Sequence, residues 1–237
     1  MFTETEDSSW ISLSDLMTTL MMVFMFIALN YMIQFVEYEF VEKNIYNELN
    51  DKFSDEIDDG TIRLGPNGEV SFINKNISSE QLFKVGESEP TIFFKSQLND
   101  FLPKYWEIIG DSSNITFIEE IRIEGHADSR PISSKFTLEK NYLENLKLSQ
   151  DRSRNVLKHM RTLPMYENSN LKIKKQMDFL FAAIGFSSSR TVNKDGDYVF
   201  ESDNKKSDDD LSRRVVFRIK TSKPELLQKV QKQNNED

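Results

Sequence analysis

The sequence predicts an α+β fold, with helices on one face of a mixed sheet, carried behind a single N-terminal membrane helix. Three observations predict it. Residues 16–33 contain no charged side chain, although 29% of the chain is charged. After residue 60, short runs that alternate or are wholly apolar read as strands, and amphipathic runs with helical spacing stand between them. Turn signals rich in Asp, Asn, Gly and Pro separate these runs.

The uncharged run lies within WISLSDLMTTLMMVFMFIALNYMIQFV, residues 10–36. At about 1.5 Å of rise per residue, residues 16–33 cover roughly 27 Å, and the flanks complete a bilayer crossing. The apolar part is too long for the core of a signal peptide. Its N-terminal flank is acidic (Glu4, Glu6, Asp7) and no A-x-A site follows, so the span is expected to be retained. Both flanks are acidic and the first basic residue is Lys43, so charge alone gives no orientation. Residues 1–9 are expected to be a short, poorly ordered polar tail. Inside the span, Asp15, Thr18, Thr19, Asn30 and Gln34 fall within less than half of the helix circumference. Such a polar stripe belongs against protein or water.

Residues 37–59 are expected to continue as an amphipathic linker helix, with Val41, Ile45, Leu49, Phe53 and Ile57 recurring every fourth residue. That stripe suits either a second copy of itself or the chain's own domain. Asp58-Asp59-Gly60 breaks it. Residues 60–220 then form the soluble domain. TIRLGPNGEVSFI reads as a hairpin turning at Pro66-Asn67-Gly68. A helix is expected over 95–109, with Pro103 as a local defect. A strand follows over 117–126, a second amphipathic helix over 146–163 ended by Pro164, an apolar strand over 179–185, and a last strand over 215–219. Residues 186–212 read as a long polar loop and 221–237 as a polar C-terminal tail.

Composition narrows the function classes. The chain has 237 residues, room for one span and one domain of ordinary size. A net charge of −9 argues against a general nucleic-acid binder. Cysteine is absent, which excludes disulfides, thiolate metal sites, cysteine nucleophiles and lipidated cysteine. No nucleophile stands beside a base and no phosphate-binding loop is present, so an enzyme is not expected.

Five stretches carry a resemblance to known families. WISLSDLMTTLMMVF resembles the single-span helix of MotB-type stator proteins. IEGHADSRP resembles the Gly-His-Thr-Asp strand end of OmpA-like peptidoglycan-binding domains. Asn145-x-x-Leu148-Ser149-Gln150-Asp151-Arg152 resembles the Asn-x-x-Leu-Ser-x-x-Arg helix opening of that domain. Ser212-Arg213-Arg214-Val215 is similar to its terminal Asn-Arg-Arg-Val strand, and Leu82-Phe83-x-x-Gly86 to its early Leu-Phe-x-x-Gly signature. They occur in the family's order and cover nearly the whole chain. Trp10-Ile11-Ser12 at the helix entry looks most like the ZorB branch, the stator-like subunits of Zorya anti-phage defence; flagellar relatives usually have a basic N-terminus. Ala127 stands where Thr is usual, Ser212 where Asn is usual, and the segment from Asp128 to Asn145 is longer than usual.

The resemblance implies an OmpA-like α/β sandwich and an ion-driven motor subunit that uses no cofactor, only a transported ion, a proton in preference to a sodium ion. It implies Asp15 as the ion carrier, with Thr18 and Thr19 either lining its path or packing against a neighbouring helix. Read alone, Asp15 also suits a helix start capped by Ser12. The matching residues imply that Asp128 and Arg152 bind the amine and carboxylate of a peptidoglycan stem, with Asn145, Leu148 and Arg214 shaping the site. An ion pair between Asp128 and Arg152 is the simpler alternative. Leu148 equally suits a core position, and Arg214 a supporting one. The implied partners are peptidoglycan, a second copy of the chain, and a MotA- or ZorA-type multi-span subunit in a 5:2 complex. The implied location is the cell inner membrane, with the N-terminus cytoplasmic and the domain periplasmic. A flagellar stator subunit and a wall anchor without ion transport are the alternatives.

Glu124, His126 and Asp128, at spacing two, imitate a metal or acid–base cluster on one strand face. With His159 as the other histidine and no cysteine, metal chemistry is not expected. The acidic run from Asp195 to Asp210 lacks calcium-loop spacing and reads as a solvated charge run.

Overall fold

A computed structural model describes residues 4–73, 81–203 and 206–222. The expected C-terminal tail lies outside them from residue 223 onward, as does the side chain of Gln34. The chain divides into two compact units, residues 1–41 and 42–237.

The first unit is helical. Helix α1 (Glu4–Lys52) opens inside the stretch expected to be a disordered tail. The sequence explains the earlier start: its opening is rich in Glu and Asp, which suit a helix N-terminus, and it contains no Gly or Pro. Within α1, Leu13–Ile33 is a 21-residue stretch long and apolar enough to cross a membrane, with every side chain exposed.

In the second unit the described strands form one mixed five-stranded sheet, ordered β1-β2-β5-β3-β4. Strands β1 (Ile62–Leu64) and β2 (Val70–Ile73) are the expected hairpin, pairing Ile62 with Phe72. Strand β2 runs antiparallel to β5 (Arg214–Thr221), and β5 antiparallel to β3 (Ile118–Gly125). Strands β3 and β4 (Phe181–Gly185) are parallel. A parallel pair needs a crossover, and α5 (Leu138–Met160) begins it.

Period-two alternation sorts the sheet's faces. Phe72, Ile121, Ile123 and Phe217 are fully buried on one face, beneath α3 (Ile92–Ile109) and α5. Phe101 and Tyr105 of α3 meet Phe217 at ring separations of 5.1 and 5.7 Å. Ser71, Arg122, Glu124 and Arg218 occupy the other face. Arg218 there pairs with Glu69 at 2.6 Å and with Glu124 at 3.1 Å. Helix α3 starts earlier than its pattern suggested because Thr91 caps it, its hydroxyl accepting from Phe94 N at 3.1 Å. It continues through Pro103.

The linker helix packs on its own domain. Ile45, Leu49 and Phe53 are at most 2% exposed. Phe53 meets the Phe101 ring at 5.0 Å. Glu48 accepts from Asn114 at 3.0 Å, and Lys52 pairs with Glu107 at 2.7 Å. After a break at Phe53, a short α2 (Ser54–Asp58) ends the linker.

Candidate functional site

Where β3 ends, the chain turns over the top of the sheet and forms one wall of a cavity of about 430 Å³. All five residues singled out in the domain line it: Asp128 just past β3, Asn145, Leu148 and Arg152 on α5, and Arg214 at the start of β5. The three α5 residues lie at i, i+3 and i+7, which is one helix face. Leu148 is half-buried and lines the cavity instead of entering the core.

Arg152 is 9% exposed, and backbone carbonyls hold it. Its Nε donates to Glu87 O at 3.0 Å, Nη2 reaches Lys84 O at 3.5 Å, and the guanidinium lies 4.9 Å over the Phe83 ring. Those carbonyls belong to a tight turn made possible by Gly86, whose φ of +74° suits glycine. The Leu82-Phe83-x-x-Gly86 signature therefore builds the bed of the arginine. Burial lowers the Arg152 pKa to about 10, the Arg213 charge acting the same way and the Asp128 charge opposing, so the group stays cationic. Among the described residues no carboxylate pairs with it. A buried guanidinium with carbonyl partners but no counter-charge is suited to an incoming anion.

Asp128 does not pair with Arg152. Its Oδ1 accepts from Arg130 N at 3.0 Å. Its Oδ2 accepts from Arg130 Nε at 2.8 Å and Arg213 Nη1 at 2.6 Å. Burial pushes its pKa up, but these hydrogen bonds outweigh it and hold the carboxyl below its ordinary value. Arg130 and Arg213 were not singled out from the sequence. Arg130 sits in the unusual insert, and Arg213 was overshadowed by its neighbour. The one available signal was a pair of arginines at either end of the Asp128 loop and the β5 start.

The insert is tied down. Asn145 Nδ2 donates to Arg130 O at 3.3 Å, and Asn141 bridges Ser133 O and Phe136 O at 3.1 and 3.2 Å. Arg214, also buried, donates to Arg190 O at 3.2 Å from both terminal nitrogens. Ser212 clips the 186–212 segment through Val192 N at 3.1 Å.

Glu124, His126 and Asp128 do not act together. His126 is 2% exposed, its Nε2 3.2 Å from Glu124 Oε2 and its Nδ1 without a hydrogen-bond partner. Burial pushes its pKa from 6.5 down to about 4; Glu124 pulls upward, and the Arg214 and Arg190 charges push down again. The folded value lies below the unfolded one, so the unfolded chain binds the extra proton. The stability linked to the neutral ring is complete above about pH 6.5 and is lost as pH falls through 4, by up to about 3 kcal/mol. The urea midpoint is expected to fall across that window in the wild type and to flatten there in His126→Gln.

In the span, Thr18 and Thr19 donate to Ser14 O and Asp15 O at 2.8 and 2.9 Å. Both hydroxyl protons are thus used inside the helix, leaving their oxygens as acceptors. Asp15, Thr18 and Thr19 share one face at i, i+3 and i+4. Among the described residues no group of three His, Asp or Glu side chains could hold a metal.

No known family model matches the chain. Among solved structures it is similar to that of a MotB-like protein from Desulfovibrio vulgaris, with 19% identity and a TM-score of 0.49, over 80% of this chain and 96% of that one. It is 32% identical to the Zorya protein ZorB of Escherichia coli, over 95% of this chain and 93% of that protein. With that identity along nearly its whole length, the chain belongs to the ZorB family of Zorya proteins.

Proposed function

We propose that this chain is the membrane-anchored, wall-gripping subunit of a stator-type motor in Zorya anti-phage defence. Family membership supports the defence role, and the cationic cavity around Arg152 is the single observation that carries the grip. A peptidoglycan stem offers free carboxylates, and Arg152 presents a buried, carbonyl-braced fork to take one. Val85 and Ile132, exposed at the cavity rim, give its aliphatic parts an apolar shoulder.

The span crosses the inner membrane once, with the N-terminus in the cytoplasm and the domain in the periplasm. Two copies pair inside a ring of five multi-span partner subunits of the ZorA or MotA type. Asp15 carries the transported proton, with Thr18 and Thr19 beside it. Each proton falling through 100 mV supplies about 2.3 kcal/mol. The wall-bound domain keeps this chain from turning, so the partner ring turns instead.

The test of the grip is retention of the detergent-solubilised chain on purified cell wall. Arg152→Ala is expected to weaken retention by roughly 100-fold, because the braced fork supplies the charge-assisted bonds. Retention equal to wild type would remove the wall-binding reading.

A further inference from the structure

The chain is acidic, but its positive charge is not spread evenly. Residues 135–178 carry ten Lys and Arg against five Asp and Glu, a net of +5, which leaves −14 for the remainder. Most of these cations stand on two helices. On α5, Lys140, Lys147 and Arg154 recur every seventh residue, Lys158 follows one turn later, and Arg161 is the C-cap, so five exposed cations form one stripe along the helix. The acids on that stripe, Glu144 and Asp151, are half-buried, and Asp151 pairs with Arg154 at 3.0 Å. Arg161 pairs with Asp178 of α7 (Leu171–Leu180), and this contact joins the outer surfaces of the two helices.

The outward face of α7 mixes charge with apolar surface. Lys172, Lys175 and Phe179 stand at i, i+3 and i+7, with Leu171 beside them. Leu171 is 70% exposed and Phe179 49%. Among the described residues, Lys147, Lys172 and Lys175 have no ion-pair or hydrogen-bond partner. A partner made only of carboxylates would use the lysines and leave Leu171 and Phe179 in water. Cations interleaved with exposed apolar side chains fit the boundary between lipid headgroups and acyl chains. The same chain carries a stretch long and apolar enough to cross a membrane, Leu13–Ile33, joined to the domain by residues 34–41, so a bilayer is always within reach.

We propose that the outer face of α5 and α7 is a docking surface for anionic phospholipid headgroups, with Leu171 and Phe179 seated at the acyl boundary. Each exposed cation brought to an anionic leaflet raises the partition roughly fivefold, so a few lysines suffice for a surface hold that salt can release. The proposal stands on this surface and on the span, and is independent of what the Arg152 cavity binds.

The test uses the full-length chain in lipid nanodiscs, one set of phosphatidylcholine alone and one of equal parts phosphatidylcholine and phosphatidylglycerol. Neither lipid has a primary amine, so brief acetylation followed by mass spectrometry reads the exposure of each lysine. In the anionic discs Lys147, Lys172 and Lys175 are expected to react roughly fivefold more slowly than in the neutral discs. Lys194, exposed in the segment after β4, is expected to react equally in both. High salt is expected to restore the fast rate. In Lys147→Gln/Lys172→Gln/Lys175→Gln, Lys158 serves as the reporter and is expected to lose its protection. Protection in Leu171→Ser/Phe179→Ser is expected to weaken; unchanged, it would make the contact purely electrostatic and overturn the seating of those two side chains. Equal rates in the two discs, or undiminished protection of Lys158 in the triple variant, overturns the proposal. Protection that follows added soluble peptidoglycan fragments, and not the anionic lipid, assigns the face to the wall and overturns it as well.

Discussion

Asp15→Asn is expected to remove phage protection, lowering it by roughly 100-fold to the level of cells without the system, while the chain stays in the membrane at wild-type amounts. The size of the effect follows from what asparagine cannot do. It matches aspartate in shape and hydrogen bonding but cannot gain and lose a proton. A carboxylate just inside a 21-residue apolar stretch is costly to keep, and a cycle of charging is a reason to keep it. Asp15→Glu keeps a carboxyl group one methylene further out and is expected to retain part of the activity. The measurement is plaquing efficiency on cells carrying the complete system, with membrane fractions blotted for the chain. If Asp15→Asn protects as well as wild type, the span is a passive tether and the motor reading fails.

The largest effect on stability is expected at Gly125. An added Cβ there would lie 2.2 Å from Ser149 O and 3.0 Å from Ser149 C, both α5 backbone. The parallel partner of Gly125 in β4, Gly185, is pressed by α5 in the same way, a Cβ meeting Gln150 N at 2.5 Å. Backbone cannot rotate aside as a side chain can, so Gly125→Ala forces α5 off the sheet. The expected cost is about 3 kcal/mol, a fall in Tm of roughly 6–12 °C for a domain of this size. Since α5 carries Asn145, Leu148 and Arg152, wall retention should fall with it even below the melting range. A Tm unchanged within a degree or two would show that α5 does not sit on these glycines.

The fold was legible wherever periodicity was strong. Strand β3 and the last strand appear within a few residues of their alternating runs, and the Pro66-Asn67-Gly68 signal falls between β1 and β2. What escaped were elements whose start is set by a cap and not by a stripe. Helix α5 begins at Leu138, eight residues before its apolar pattern does, because Thr137 caps it through Lys140 N. Helix α7 (Leu171–Leu180) was missed: it is only ten residues long and Lys-rich, with Met177 and Leu180 buried, and Asn170 starts it by capping Ile173 N. At the site, motif positions identified Asp128, Asn145, Leu148, Arg152 and Arg214, which meet in one cavity. The actual partners of Asp128 were not legible. Its contact with Arg213 joins residues 85 positions apart, and that with Arg130 depends on the path of an atypical insert.

The apolar ridge of Ile45, Leu49 and Phe53 limits how the two copies of the proposed dimer could meet. These side chains already belong to the interior of their own domain. Zipping two linkers together along them would mean extracting each from its core, at about 2–5 kcal/mol apiece. The linker's outward positions, among them Lys43, Asn47, Asn50 and Asp51, offer no substitute seam. The proposed twofold pairing would therefore use other residues, with the exposed apolar stretch Leu13–Ile33 the first place to look.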